Sequence, residues 1–268
     1  MLRNVFAKFL RDHLRALLGW SVGVVLVTAM YSSFYPTMTG DSTMAALAEA
    51  EMRGMGDTMT QALNMTDLTS PEGYLNATVF SLLVPILLVI AAITVGTRAI
   101  AGDEEEGGLE LLLAHPVSRT RLVVERFLGL VVFVSVLGAL VYATLLTIGP
   151  GLDLDVDRLN LLAACVVVTL LALSYGSVAL AVGAVTGRRA TALAVAALLA
   201  VVGFLGNTFA LQVEELEWLR FASAFYYALD SDPLATGFHA GFIAVLIAVP
   251  VVLLSLAVST FTRRDVGV

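Results

Sequence analysis

The chain has 268 residues, of which 59% are hydrophobic and 14% are charged, and its mean hydropathy is +0.91. Soluble domains carry about 25% charged residues, so this chain has too little polar surface to cover a water-soluble globule. The composition excludes a soluble cytosolic enzyme, a nucleic-acid-binding protein and a disordered scaffold, and it indicates an integral membrane protein.

Cysteine and lysine usage narrows the possible chemistry. The single cysteine, Cys165, cannot form a disulfide within the chain. The single lysine, Lys8, lies in VFAKFL, whereas a P-loop places its lysine directly after a glycine-rich turn. The sequence therefore contains no Walker nucleotide site. We expect no catalytic residue, metal or cofactor in this chain, so that any ATP chemistry belongs to another chain.

The first predicted element is an amphipathic helix over residues 1–15. Its basic residues, Lys8, Arg11 and Arg15, lie opposite an apolar face at helical spacing. That face consists of Val5, Phe6, Phe9, Leu10 and Leu14. The pattern fits a helix lying in the membrane interface and equally a plain extension of the first span.

Six long apolar stretches follow, and each is long enough to cross a bilayer as a helix of about 20 residues. Each must be helical, since lipid offers no partner to backbone polar groups. The predicted spans are 16–35, 77–97, 119–149, 159–186, 190–210 and 238–261. The sequence thus predicts an all-α integral membrane protein with a single transmembrane domain.

The basic residues predict how the six spans are oriented. If the spans alternate in direction, twelve of the fifteen Lys and Arg residues fall on one side. The other side holds only Arg53, Arg158 and Arg220. Because positive charge marks the cytoplasmic side of membrane proteins, we expect both termini and the loop of residues 100–118 to be cytoplasmic.

The longest outer segment, residues 36–76, is rich in methionine. Seven of the eight methionines fall between Met30 and Met65. Methionine fills an apolar helix face well, and its thioether also binds Cu(I). The sequence favours packing and leaves a copper site open.

The loop between the second and third spans carries an unusual run, RAIAGDEEEGGLELLLAHPVSRTRLVVER. Asp103 and Glu106 are spaced as a helix N-cap and capping box, and acids complement the positive end of a helix dipole. Pro116 ends this predicted short helix, and Ser118 caps the next one. The apolar face of the short helix consists of Leu109, Leu112 and Leu113. Such a helix either packs on its own bundle or docks into a groove of a soluble partner.

Apart from residues 119–126 at the start of the third span, the predicted spans carry no charged side chain. Because proton pumps and voltage sensors place ionisable groups within their spans, these functions are disfavoured. A substrate path through the bundle would be largely apolar and would suit a hydrophobic or amphipathic molecule. Polar candidates for that path, many of which also suit hydrogen bonds between helices, are Ser81, Thr94, Ser135, Tyr142, Ser174, Tyr175 and Asn207.

The stretch IAGDEEEGGLELLLAHPVSRTRLVVERFLG resembles the characteristic loop of ABC-2 type permeases of ABC transporters. That loop has a small residue and glycine, two or three acids, another glycine, an L-x-x-L-L segment, a proline and a serine–arginine turn. The stretch SPEGYLNATVFSLLVPILL resembles the start of the second span in permeases of drug and antibiotic exporters. This chain has Gly107–Gly108 where the family more often has a basic residue and a glycine.

The resemblance implies that residues 100–118 form a coupling helix that docks into a cleft of an ATPase subunit. The residues implied at that contact are Asp103, Glu104, Glu105, Glu106, Leu109, Glu110, Leu112, His115, Pro116, Ser118 and Arg119.

The resemblance also implies two ATPase subunits that bind ATP and Mg²⁺, and a second permease copy in a homodimer or heterodimer. The expected location is the plasma membrane of a prokaryote, in contact with lipid. In the family, short helices corresponding to residues 211–236 dip into the outer leaflet, whereas Trp218, Tyr226 and Tyr227 also suit an interfacial helix.

Two alternatives remain at this point. The first is a copper- or sodium-related ABC permease of the same architecture. The second is a membrane scaffold or sensor that docks a cytosolic protein without transporting anything.

Overall fold

The computed structural model describes residues 5–40, 70–108, 118–209 and 218–264, together with the single positions 50, 54 and 68. These described residues are mostly helical, and none of them lies in a β-strand. Six of the helices are long and apolar enough to cross a membrane. The predicted all-α fold with six spans is confirmed.

The helices follow one another in chain order. Helix α1 spans Val5–Asp12, α2 spans Leu14–Thr39, α3 spans Pro71–Glu105, α4 spans Arg119–Ile148, α5 spans Arg158–Thr186 and α6 spans Arg189–Phe209. The described residues then form the short helices α7 (Trp218–Ala222), α8 (Ala224–Leu229) and α9 (Pro233–Thr236). The last span is α10 (Ala240–Arg263). Each predicted span overlaps one of the six long helices.

Helix α3 extends past its predicted span at both ends. It begins after Ser70, whose hydroxyl accepts a hydrogen bond from the Gly73 N–H at 3.1 Å, with Pro71 in the first turn. Two π-helical stretches interrupt it, Asn76–Leu83 before Pro85 and Arg98–Gly102 before the acidic residues. Proline lacks the N–H that a regular helix needs, so a local widening of the helix next to Pro85 is expected.

The centre of the bundle is the pair α3 and α5, most of whose residues are buried, whereas only a minority of the residues of α2, α6 and α10 are buried. A methyl group on Gly96 of α3 would overlap the carbonyl oxygen of Gly176 on α5. Small residues allow this close approach of two backbones, which is how spanning helices gain contact area in lipid.

Helix α1 is a separate helix that packs on α4. A turn at His13 separates it from α2. Val5 and Phe9 are buried, and the Phe9 ring lies so close to Gly129 of α4 that a methyl group there would overlap it. Helix α1 covers residues 5–12 of the predicted amphipathic helix, and its apolar residues Val5 and Phe9 are covered by protein. The turn at His13 favours a separate helix over a plain extension of the first span.

At the opposite end of the bundle, the segment α7–α9 packs over the ends of the spans. The Asn76 side-chain amide donates to Asp232 Oδ1 at 3.1 Å, and the Asn160 amide donates to the Leu234 carbonyl at 2.9 Å. These bonds tie the connection between α6 and α10 to α3 and α5.

Candidate functional site

Several segments distant in sequence meet at one end of the bundle, which we call the basic end. It comprises α1, the end of α3 with the residues that follow it (98–108), the start of α4 with its capping residue (118–126), the connection between α5 and α6, and the residues around the end of α10 (261–264). The acidic run of Asp103 to Glu106 lies at this end, and the contacts of its carboxylates determine which of them are available to a partner.

Asp103 lies in the last turn of α3 and forms an ion pair with Arg126 of α4. Arg126 is only 1% exposed, and its guanidinium lies over the Phe9 ring at 5.3 Å from the centroid. A buried guanidinium is costly unless an opposite charge lies next to it. The pair therefore fixes the end of α3 against both α4 and α1.

Glu104 forms an ion pair with Arg264, which follows α10. The same guanidinium donates to the Ala184 carbonyl at 3.1 Å, and the Arg119 guanidinium donates to the Arg264 and Phe261 carbonyls. This cluster joins α3, α4, α5 and the end of α10.

Glu105 contacts the start of α6. Its Oε1 accepts a hydrogen bond from the Arg189 backbone N–H at 2.8 Å, where a carboxylate complements the unpaired N–H groups of a helix start. The preceding Gly187 has φ of +65°, and a side chain there would overlap Arg264 and Glu104. Glycine at this turn leaves room for the side chains of Glu104 and Arg264 to pair.

Helix α3 ends directly after the acids. The Glu106 N–H donates to Gly102 and the Gly107 N–H donates to Glu104, each at 3.1 Å, and Gly107 has φ of +71°. The predicted capping box is wrong, because Asp103 closes one helix instead of starting another and its side chain binds Arg126. At Gly107–Gly108, where the family that the loop resembles more often has a basic residue and a glycine, Gly107 supplies the left-handed residue that ends α3.

Helix α1 makes one further contact with α4, and the residue that follows it, His13, packs back on α1. Glu125 of α4 accepts a hydrogen bond from the Phe6 backbone N–H at 2.9 Å and pairs with Arg121. His13 is 8% exposed, its Nδ1 lies 2.9 Å from the Phe9 carbonyl oxygen, and its ring lies 4.2 Å from the Phe9 ring. Burial lowers the pKa of His13, and the nearby Arg126 and Arg98 lower it further.

The structure thus brings Asp103, Glu104, Glu105 and Arg119 together, and Glu106 is exposed. Ser118 caps α4 by accepting from the Arg121 N–H at 3.3 Å, which confirms that prediction. Contact of these residues with an ATPase stays a prediction. The remaining predicted contacts, Leu109, Glu110, Leu112, His115 and Pro116, lie outside the described residues, as does most of the methionine-rich segment.

The predicted substrate-path residues do not form a single group. Ser174 and Tyr175 line a cavity of about 390 Å³, and Ser135 and Tyr142 line another of about 290 Å³ between α4 and α5. Ser81, Thr94 and Asn207 line neither of these two cavities. Ser81 and Asn207 are buried, while Thr94 donates to the Ile90 carbonyl of its own helix at 2.7 Å.

Sequence reasoning missed the partners of the acids, Arg126 and Arg264. A usable signal exists for Arg126, since it is the last charge before the apolar core of the third span in VVERFLGL. A charge at such a position needs a partner of opposite sign, and the four consecutive acids of Asp103 to Glu106 are the densest source of carboxylates in that connection.

Comparison with known proteins places the chain in a family. A family model described as "ABC-2 family transporter protein" matches residues 3–266. No curated protein matches the chain. Since the family match covers nearly the whole sequence and the described part of the chain contains six apolar helices long enough to cross a membrane, this multi-pass membrane protein belongs to the ABC-2 family of transporter proteins, the permease components of ABC transport systems.

Proposed function

We propose that the chain is the permease subunit of an ATP-driven exporter, and that separate ATPase subunits bind the ATP and Mg²⁺. The observation that carries this proposal is the family match over residues 3–266. The sequence supports a separate motor, because it contains no P-loop that could bind a nucleotide.

In this proposal the ATPase docks on residues 103–119 from the cytoplasm. The ion pairs at the basic end support such a role. Force applied to the segment after Glu105 acts on the end of α3, which is bonded to α4 through Arg126, to the end of α10 through Arg264 and to α6 through Arg189. A push on one short segment would therefore move four spans together.

Two copies, or one copy and a related chain, would form the translocation path in a prokaryotic plasma membrane, with both termini cytoplasmic. The excess of arginine at the basic end supports this orientation. The proposed cargo is hydrophobic or amphipathic, in keeping with the mostly apolar linings of the two cavities. The direction of transport and the cargo class rest on the family.

Reconstitution tests the proposal. The permease would be placed in proteoliposomes with the ATPase encoded next to it, and ATP hydrolysis would be measured with and without a panel of lipophilic dyes. We expect the permease to alter the rate of hydrolysis and at least one dye to move in an ATP-dependent manner. An ATPase mutated at its Walker lysine is the control. Binding without any change in hydrolysis or dye movement would instead support the scaffold alternative.

A further inference from the structure

The basic end carries exposed arginines that are not paired with any described carboxylate. The carboxylates that already have partners there are Asp12, Asp103, Glu104, Glu105 and Glu125. Glu106 is the remaining described acid at this end. The exposed arginines that form no ion pair with a described residue are Arg11, Arg15, Arg98, Arg188 and Arg263. The surface of the basic end is therefore positive and attracts anions.

Arg15 lies at the end of an apolar stripe on the outside of α2. Val22 and Leu26 follow it by seven and eleven residues, which returns to the same side of a helix with about 3.6 residues per turn. They are 58% and 63% exposed. In a bilayer such side chains suit contact with acyl chains, and an arginine at the end of the stripe reaches the headgroup region.

Helix α10 repeats this arrangement in the opposite chain direction. Val252 and Leu256 are exposed and precede the exposed Arg263 by eleven and seven residues. Helix α4 packs against both α2 and α10, so the two stripes flank the same helix and both end in a guanidinium at the basic end. At the opposite end of the bundle, the exposed side chains next to these stripes are Phe34 and Phe238.

We propose that the basic end binds anionic phospholipids, with headgroup phosphates against Arg15 and Arg263 and acyl chains along the apolar stripes of α2 and α10. Guanidinium groups recognise phosphate well, and basic residues at a membrane surface attract anionic lipids. Phosphatidylcholine carries the same phosphate, but its choline group makes the headgroup neutral. An acidic protein surface would meet the arginines and leave the stripes uncovered, so the observations favour lipid. The proposal does not depend on transport.

Fluorescence quenching by brominated lipids tests this binding on the permease alone. Trp20 and Trp218 are the two tryptophans of the chain, so Trp20→Phe with Trp218→Phe gives a background without tryptophan. Leu18→Trp then reports on lipid about one turn from Arg15, since Leu18 is 65% exposed. The bilayers would contain equal amounts of phosphatidylcholine and phosphatidylglycerol, with bromine on the chains of one or the other. We expect about threefold enrichment of phosphatidylglycerol at this reporter, reduced in about 0.5 M salt.

A reporter at the other end of the same helix is the matched control. Phe34→Trp in the same background replaces an exposed side chain at the end opposite Arg15, and we expect the two brominated lipids to quench it equally. Equal quenching of Leu18→Trp, or the same lipid preference at Phe34→Trp, would overturn the proposal. Absence of quenching at Leu18→Trp would overturn it as well, because protein would then cover the stripe.

Charge variants assign the preference to the arginines. Arg11→Gln with Arg15→Gln should abolish the preference at the Leu18→Trp reporter, and Arg15→Lys should retain it because the positive charge remains. Arg158→Gln is the control, since Arg158 is exposed at the opposite end of the bundle, and it should change nothing. A preference that survives the loss of both Arg11 and Arg15 would contradict the assignment.

Two further measurements complete the test. On α10, a Leu256→Trp reporter with and without Arg263→Gln should give the same result as on α2. Recovery of the ATPase with Arg15→Gln separates lipid from an acidic protein partner, and we expect it to be unchanged. Loss of the ATPase in this variant, together with equal quenching by both lipids at Leu18→Trp, would assign the arginine to the ATPase and overturn the proposal.

Discussion

The Arg126 guanidinium of α4 lies between the Phe9 ring of α1 and the Asp103 carboxylate at the end of α3. This pair joins residues 23 positions apart in sequence. With the pair of Glu104 and Arg264 and the bond from Glu105 to the start of α6, it holds the ends of several spans in one arrangement. Any movement that separates these ends has to break ion pairs.

Loss of the Arg126 charge should destabilise the protein strongly. Arg126→Met leaves Asp103 without its partner, and breaking a buried pair costs about 3–5 kcal/mol. Asp103 keeps some hydration, with its side chain 21% exposed, so the lower part of that range is expected. Thermal unfolding in detergent measures the loss.

Two further variants test whether the charge pair is the cause. Arg121→Gln removes a guanidinium that is 57% exposed and should cost less than about 1 kcal/mol. The double variant Arg126→Met with Asp103→Leu should recover much of the loss, since no unpaired charge remains. A double variant as unstable as the single one would contradict the assignment.

The crossing of α3 and α5 predicts a steric effect. Gly96→Ala places a methyl group against the Gly176 carbonyl, which is backbone and cannot turn away. Overpacking of this kind costs about 1–3 kcal/mol, and we expect that loss in the melting of the purified protein. Gly23→Ala on α2 is the control, because its added carbon meets nothing within 4 Å. An equal effect of both substitutions would argue against the close crossing.

The docking of α1 should weaken in acid. The pKa of His13 is lowered in the folded protein, mainly by burial; the hydrogen bond with the Phe9 carbonyl acts in the opposite sense, Arg126 and Arg98 lower the pKa further, and Asp12 raises it slightly. The unfolded chain therefore binds more protons as the pH falls below about 6.5, and stability is lost in that range and retained above it. Limited proteolysis near residue 13 between pH 7.5 and pH 5.5 measures the release of α1.

His13→Phe keeps an aromatic ring beside Phe9 and removes the titration. We expect proteolysis of this variant to show little dependence on pH over the same range. A pH dependence as large as that of the unchanged protein would show that another group is responsible.

The spans could be predicted from the sequence because long uncharged stretches have only one solution in lipid. The true ends of α3 could not, since they depend on the Ser70 cap and on Gly107, and the charges of Asp103 to Glu105 do not stop the helix. The sequence around Asp103 has the pattern of a helix start, but the Asp103 side chain forms an ion pair with Arg126 instead. The position of Arg126 depends on how α4 packs against α1 and α3, which no local pattern reveals.

The candidate site was predictable in part. The acidic run was identified from the sequence, but its contacts with Arg264 and Arg189 join segments about 160 and 84 residues away. No local pattern encodes such pairs. The grouping of Ser174 and Tyr175 in one cavity likewise depends on how α6 and α10 pack on α5.

We expect Glu104 to stabilise the bundle and Glu106 to contact the ATPase. Glu104→Gln loses the ion pair with Arg264 and should lower the melting temperature by a few degrees. Glu106 is exposed, so Glu106→Gln should leave stability unchanged and weaken co-purification of the ATPase. Melting and pull-down yields of both variants check this. Full ATPase recovery with Glu106→Gln would count against an acidic docking edge.

The most direct test concerns Leu112, which the sequence places on the apolar face of the proposed coupling helix. Leu112→Asp should leave the protein in the membrane and uncouple ATP hydrolysis from export, because docking would bury a carboxylate without a partner. Leu111→Asp, on the opposite face of the same helix, is the matched control and should remain coupled. The measurement is the ratio of ATP-dependent transport to ATP hydrolysed in proteoliposomes. We predict a ratio near zero for Leu112→Asp alone; normal export by that variant would contradict the account.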